Sequence, residues 1–231
     1  MTSVLRDPLR LLRFCGEALT VRGSAQIVAR VLVALAAALA VALPAVAQER
    51  GFLIVAKPHV PDPNFRRTVV LVTQTPDGAA LGVIVNRPAN KSLAEVVPED
   101  PKLARFTEPL YVGGPVERVG LFAVFRAPTA PGEALRAGED LWIALAPPTV
   151  ERLLYEPPEA LRLYLGYAGW GPGQLRSEID RGDWWVLDAD PDLVFRKDTK
   201  GLWEELSTRA QSVTAHSPVP LHSVALARAM H

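Results

Sequence analysis

The sequence predicts a single α+β domain built on a mostly antiparallel, barrel-like sheet with short flanking helices. Short segments rich in β-branched and apolar residues dominate the chain after residue 47, and glycine, proline or aspartate bounds them. Several are joined by connections short enough for hairpins, and no repeat of fixed length is present. Frequent hairpins with a few helical segments between them are typical of the α+β class.

The first 47 residues are predicted to be a signal peptide that is not part of this domain. Five arginines accompany an uncharged apolar run at 31–43, and small residues at Ala45 and Ala47 suit cleavage after Ala47. A membrane anchor is the alternative, but a helix of that length spans only ~20 Å of a ~30 Å hydrocarbon core. Cleavage predicts an exported, periplasmic protein without a stable membrane span; the alternative location is the cytosol, with the chain at full length.

The charge and cysteine content of the predicted mature chain limit its functions. Residues 48–231 carry 20 basic and 23 acidic side chains, a net charge of −3. This charge gives no electrostatic footprint for nucleic acid. Because the single cysteine, Cys15, precedes the predicted cleavage site, the mature chain has no disulfide and no cysteine nucleophile.

In the first half of the domain, strands are predicted at 51–56, 68–74, 81–88, 110–116 and 119–127. The segment 68–74 is almost continuously apolar, as expected for a strand buried on both faces. A Pro-Asp-Gly turn joins it to the next strand as a hairpin, whereas three prolines make 57–67 a loop. A short helix is predicted at 92–99, because Ser92 and Glu95 can form a capping box.

The second half is predicted to hold a hairpin and two strands, at 133–145, 160–168 and 183–189. Helices are predicted at 147–156, 172–182 and 201–210. Gly138 turns the hairpin, a proline starts the first of these helices, and Gly182 ends the second. The domain is therefore predicted to cover 48–208, and 209–231 to be a flexible tail or a loosely docked helix.

Four motifs in a fixed order carry a resemblance to a known family. They are "GFLIVAKPHVPDPNFRRTVVLVTQ", "GVIVNRP", "YVGGPV" and "LGYAGWGPGQLRSEI". Together they closely resemble the AlgH/YqgE family, a domain of unknown function, over nearly all of the predicted mature chain. The chain departs from the family pattern at Gln74, where many members have histidine, and in its N-terminal extension.

The resemblance implies a single α/β domain built around a flattened β-barrel. Members of the family are usually cytoplasmic, and some bacterial members have been linked to the regulation of gene expression, including alginate production. The resemblance implies no catalytic residue set and no cofactor.

Eight motif residues are predicted to form one ligand-binding rim, provided that the fold gathers them into a concave polar patch. They are Asn64, Arg67, Asn86, Arg87, Gly113, Gly114, Trp170 and Gly173. The arginines could form a fork for an anion, and the glycines permit positive φ or close approach of a ligand. The alternative is structural, because asparagine and arginine near turns often brace loops.

The glycine-rich segment 166–173 raises the question of a phosphate site, because it precedes a helix whose amides could bind an anion. Its spacing fits neither the dinucleotide fingerprint nor a P-loop, and Pro172 removes one donor. A structural corner with Trp170 packed beneath it is the simpler interpretation.

No catalytic residues, metal ligands or cofactor are predicted. His59 is the only histidine before the tail, and the chain contains no G-x-S-x-G elbow. The segment 188–192 begins like a calcium loop, but Leu193 stands where that loop requires glycine.

The sequence therefore favours a non-catalytic, exported binding or regulatory domain whose partner is a small anion or a protein. One alternative is an enzyme acting on a small anionic substrate, with Arg67 or Arg87 as anion holder and Asp62 or Glu178 as base. Two further alternatives are a cytosolic regulator of gene expression and a homo-oligomeric packaging subunit.

Overall fold

A curled sheet of ten strands forms the centre of the fold. The structure is a computed structural model that describes residues 51–216, with side chains through residue 213. The strands are β1 (Phe52–Ala56), β2 (Val69–Gln74), β3 (Ala80–Ile84), β4 (Pro88–Ser92), β5 (Pro109–Val112), β6 (Val116–Arg126), β7 (Leu135–Arg136), β8 (Leu141–Ala144), β9 (Leu161–Trp170) and β10 (Trp184–Asp188). The predicted signal peptide and the last part of the predicted tail lie outside the described residues.

Most neighbouring strands of the sheet are antiparallel. They follow the order β10-β1-β2-β3-β9-β6-β8-β7, with β4 and β5 off this path. β5 pairs with β4 and, in parallel, with β9. The predicted hairpins are confirmed as the β2–β3 and β7–β8 pairs.

Short helices pack against the sheet. In the described part of the chain they are α1 (Leu93–Val96), α2 (Pro147–Tyr155), α3 (Gln174–Arg181), α4 (Pro191–Val194) and α5 (Leu202–His216), with one 3-10 turn at Pro63–Phe65. The capping box of α1 is confirmed, because Ser92 Oγ accepts the Glu95 N–H at 3.3 Å and Glu95 Oε2 accepts the Ser92 N–H at 2.8 Å. Gly182 ends α3 in the left-handed region, as predicted.

Both faces of the sheet are buried, which explains the continuous apolar runs in the sequence. Leu53 and Val55 of β1 point into the inner core of the curl, which α4 and α5 also fill. The alternate residues, Phe52 and Ile54, lie in an outer core with residues of α3. A second outer core lies between α2 and the β6–β8–β9 part of the sheet.

The long strand β9 connects the two halves of the sheet. Its first half pairs with β6, and its last residues pair with β3. Gly166 lies between these halves with φ +71°, a conformation that residues with a Cβ rarely adopt. Past this glycine, β9 pairs with β6 once more, at Tyr167, and then with β3 through Ala168 to Trp170.

The observed architecture confirms the predicted class, a single domain with a curled, mostly antiparallel half-barrel sheet and a few short helices. Three elements differ from prediction. α4 was not predicted, because its four residues are too few to show a helical pattern in the sequence. β4 was not predicted, because its exposed polar residues lack the apolar alternation of a strand. α5 continues to His216, past the predicted helix end at Ala210, and Ala210 is itself buried. Within residues 51–216, no helix is both long and apolar enough to cross a membrane.

Candidate functional site

Asn86 ties the end of β3 to the loop that precedes β2. Its Oδ1 accepts the N–H of the fully buried Val69 at 2.9 Å, and its Nδ2 donates to the Arg67 carbonyl at 2.9 Å. Arg67 has φ +55°, in the left-handed region that non-glycine residues seldom occupy. The two hydrogen bonds of Asn86 therefore hold a strained backbone conformation in place.

Arg87 makes the second connection between the same segments. Its guanidinium donates to the Asn64 carbonyl at 2.9 Å and, more weakly, to the Arg66 carbonyl at 3.4 Å. The Arg87 carbonyl accepts the N–H of Val112, which joins β5 to this cluster. Burial lowers the pKa of the Arg87 guanidinium, and no ion pair among the described residues includes it.

Arg66 and Arg67 are two further arginines in the loop whose main-chain carbonyls accept from Arg87 and Asn86. The Arg67 guanidinium lies 4.7 Å from the centre of the Trp203 ring and pairs with Glu204. Arg66 is exposed. We call Arg66, Arg67 and Arg87 the arginine rim.

Gly113 and Gly114 allow two chain segments to approach closely beside this cluster. The Gly113 carbonyl accepts the Ile84 N–H at 2.8 Å. A Cβ on Gly113 would overlap the Gly166 carbonyl oxygen, and a Cβ on Gly114 would overlap the Tyr167 carbonyl group. Neither glycine has a positive φ, so the close contact of backbone with backbone explains both residues.

Trp170 belongs to the outer core and not to an exposed rim. Its side chain is only 4% exposed, and its ring stacks on Phe65 with 5.6 Å between centroids. The indole N–H groups of Trp170 and Trp184 both donate to Glu178 Oε2, each at 3.0 Å. This arrangement fits the structural corner that the sequence suggested.

Gly173 is the N-cap of α3 and is exposed. Its φ is +74°, and a Cβ would meet no atom within 4 Å, so the left-handed backbone alone explains the glycine. The structure therefore joins only part of the predicted rim through direct backbone or side-chain hydrogen bonds. That part consists of two pairs, Asn86 with Arg67 and Arg87 with Asn64, whereas the main chain of Gly113 bonds to Ile84 and Leu165 outside the predicted rim.

The two carboxylates considered as a catalytic base both make structural hydrogen bonds. Asp62 Oδ1 accepts the Asn64 N–H at 2.8 Å and caps the 3-10 turn. Glu178 accepts both indole N–H groups on one oxygen and the Gln174 side-chain amide on the other, at 3.0 Å. His59 lies elsewhere, with its Nε2 3.8 Å from Asp183.

Metal-binding side chains are not grouped in the part of the chain that the structure describes. Within residues 51–216, no three His, Cys, Asp or Glu side chains are placed to hold a metal ion. The calcium-like segment 188–192 instead starts α4, because Asp190 Oδ1 accepts the Asp192 N–H at 2.9 Å.

Two cavities lie away from the predicted rim. The larger, of about 870 Å³, lies among the β7–β8 hairpin, the start of β1 and the end of β10. The smaller, of about 230 Å³, lies beside the start of β9 and is lined in part by Arg105 and Arg162. The sequence could have pointed to Arg162, because a charged residue inside the apolar strand "LRLYL" is unusual.

The family model described as AlgH-like, DUF179, matches residues 53–214. The chain belongs to the AlgH-like family. A UPF0301 protein of Mycobacterium tuberculosis is 36% identical over 182 residues, which cover 76% of this chain and 85% of the relative. A UPF0301 protein of Thermobifida fusca is 38% identical over 173 residues, which cover 69% and 85% of the two chains.

Solved structures agree with this assignment to the AlgH-like family. The solution structure of the AlgH protein from Pseudomonas aeruginosa has a TM-score of 0.56 and 28% identity, covering 78% of this chain and 93% of that one. A crystal structure of a Corynebacterium diphtheriae protein also has a TM-score of 0.56, with 26% identity and coverage of 75% and 89%. The family resemblance carried by the four motifs is thereby confirmed.

Proposed function

We propose that this AlgH-like domain is a non-catalytic binding domain that recognises an anionic group through the arginine rim. The main observation in support is the environment of the Arg87 guanidinium. Main-chain carbonyls accept its hydrogen bonds, and among the described residues no carboxylate pairs with it. A half-buried cation without a counter-ion favours an oxyanion as its partner.

The arginine rim is organised before a ligand arrives. Two N–H groups of Arg87 bond to carbonyls, and a guanidinium has five, so further donors remain for a ligand. The Trp203 ring supports the guanidinium of Arg67, and Asn86 fixes the backbone of Arg67. Restricting these side chains beforehand reduces the entropy lost on binding.

Glu204 is the competing anion at this site. Its pair with Arg67 is exposed, with 65% of the arginine side chain and 48% of the glutamate side chain accessible. Exposed pairs contribute only ~0.2–1 kcal/mol, so an incoming oxyanion can replace the carboxylate. Removing the Glu204 charge is therefore expected to strengthen anion binding, which a structural role for the arginines does not predict.

Titration of the full chain with inorganic phosphate, followed by NMR of the backbone amides, tests this proposal. Saturable shifts are expected at Arg66, Arg67 and Arg87. The double variant Arg66→Gln/Arg67→Gln should weaken binding at least tenfold, because each charge-assisted bond contributes ~1.5–3 kcal/mol. Glu204→Gln should strengthen it about two- to fivefold.

The control is Arg209→Gln, which removes the same charge from an exposed position of α5. Binding by this variant should change less than twofold. The proposal is wrong if phosphate leaves the amides of the arginine rim unshifted, or if all three variants bind equally.

The supporting argument against catalysis is the use of Asp62 and Glu178 in structural hydrogen bonds. Substitution of either carboxylate by its amide should leave phosphate binding by the arginine rim within twofold of the parent chain. A metabolite or hydrolase screen that finds turnover lowered by Asp62→Asn or Glu178→Gln would favour the enzyme alternative.

The place of action is a second part of the proposal. The arginine-flanked apolar run at 31–43 supports export and cleavage after Ala47. Fractionation of the native host with a C-terminal tag should find the shortened chain in the periplasm. Full-length chain in the cytosol would instead support the intracellular regulator.

A further inference from the structure

A cleft opens where the parallel pairing of β5 and β9 begins. The pairing joins Tyr111 to Tyr164 and Val112 to Leu165, and it does not include the first residues of β9. On the other edge of β9, Leu161 and Arg162 pair with β6. The smaller cavity, of about 230 Å³, occupies this place between the start of β9 and the residues before β5.

Arg162 lines the cleft and is 5% exposed. Its guanidinium donates to the carbonyls of Val194 and Arg196, at 2.5 Å and 2.8 Å. It also lies 4.3 Å from the centre of the Tyr111 ring. The ion pairs of the described residues do not include Arg162, so no carboxylate among them neutralises this buried charge by an ion pair.

Tyr164, two residues further along β9, is a second buried donor on the same face of the strand, although it lies in the inner core and does not line the cleft. Its ring centroid lies 5.8 Å from that of Tyr111, which also contacts Arg162. Its hydroxyl is buried and has no hydrogen-bond partner among the described residues. Native proteins leave few buried donors unsatisfied, and such groups often indicate a bound water or ligand.

Arg105 brings another positive charge to the cleft. Its guanidinium donates to the carbonyls of Leu154 and Tyr155, at 2.9 Å and 3.2 Å, and makes no ion pair among the described residues. Two carboxylates also line the cleft. Glu108 pairs with Lys197 at 3.0 Å, and Glu159 is exposed.

The remaining walls of the cleft are largely apolar, and the volume sets the size of the ligand. Prolines, leucines and Phe106 form these walls. At about 30 Å³ per water molecule, the space holds roughly seven to eight waters. A small oxyanion fits, whereas typical drug-sized ligands occupy larger pockets.

We propose that the cleft between β5 and the start of β9 binds a small oxyanion, phosphate or a short carboxylate, with Arg162 and Arg105 as its cationic ligands. This site is separate from the arginine rim, because the rim lies at the other end of β5, where Val112 bonds to Arg87. The two sites can therefore be tested independently.

The experiment is an NMR titration of the full chain with inorganic phosphate and, separately, with acetate. The Nε–Hε signals of Arg162 and Arg105 should shift saturably with at least one anion, and the comparison distinguishes a phosphoryl from a carboxylate ligand. Arg105→Gln should weaken this binding at least tenfold, whereas Arg105→Lys should retain part of it. Glu159→Gln should strengthen anion binding about two- to fivefold, because it removes an exposed negative charge that repels the anion.

The double variant Arg66→Gln/Arg67→Gln is the matched control and should leave the shifts at the cleft unchanged. Failure of phosphate to shift the rim amides, with saturable shifts at the cleft, would reject the proposed function but support the cleft site. The cleft proposal is overturned if neither anion gives a saturable shift at Arg162. It is also overturned if Arg105→Gln and Glu159→Gln bind as the parent chain does.

Discussion

Replacing Asn86 by alanine removes the tie between β3 and the loop before β2. The variant leaves the N–H of Val69 without its partner, and Val69 is 0% exposed. An unsatisfied buried donor costs ~1–3 kcal/mol, and loss of the bond to the Arg67 carbonyl costs a further ~0.5–1.5 kcal/mol. We therefore expect Asn86→Ala to lower the free energy of unfolding by about 1.5–4.5 kcal/mol.

Urea unfolding monitored by tryptophan fluorescence measures this change, with Asn90→Ala as control. Asn90 is an exposed asparagine on the neighbouring β4, and its substitution should cost less than ~0.5 kcal/mol. Asn86→Asp keeps the acceptor for Val69 but loses the donor to Arg67, so its stability should lie between the two. Equal midpoints for Asn86→Ala and Asn90→Ala would refute the bracing role.

Three further predictions concern other parts of the domain. Glu178→Ala should lower the free energy of unfolding, measured in urea, by about 2–4 kcal/mol, because two buried indole N–H groups lose their acceptor. Asp180→Ala on the same helix should cost under ~0.5 kcal/mol. Similar losses for the two variants would contradict this role of Glu178. Gly113→Ala should lower the free energy of unfolding by at least ~2 kcal/mol through overlap with a carbonyl oxygen, whereas Gly169→Ala, whose Cβ meets only ordinary contacts, should be tolerated. Hydrogen bonds from the N-cap serine lower the pKa of the Glu95 carboxyl in the folded state. The cap therefore stabilises α1 fully at pH values above the pKa that Glu95 has in the unfolded chain. This stabilisation is lost as the pH falls through the lower pKa that Glu95 has in the folded protein. An NMR titration of the Glu95 carboxyl should accordingly have its midpoint below that of an exposed, unbonded glutamate of the same chain, and an equal or higher midpoint would count against the capping box.

Local chemistry made most of the fold predictable. The apolar run of β2, the Pro-Asp-Gly turn and the capping box at Ser92 each act over a few residues, and each is found as predicted. The four motifs also identified the family before any contact was known. Predictions of this kind succeed because the determining interactions lie close together in the sequence.

The roles of the motif glycines and the cavities depend on long-range contacts, which composition and spacing do not reveal. Gly113 is required by the backbone of β9, more than 50 residues away in the chain. From the sequence, the expected reason for a glycine at this position was a positive φ or the close approach of a ligand. The structure instead shows close contact with the backbone of β9. The cleft at Arg162 likewise arises where one pairing of strands begins, a feature that no single segment encodes.

The most direct test of the central claim is a crystal of the full chain soaked in tungstate, whose anomalous scattering locates a bound oxyanion. We predict an anomalous peak within hydrogen-bonding distance of the Arg87 guanidinium and beside Arg66 or Arg67, which is lost in the Arg66→Gln/Arg67→Gln variant. A map with no peak at the arginine rim, at tungstate concentrations that label other arginines of the chain, would contradict anion recognition at this site.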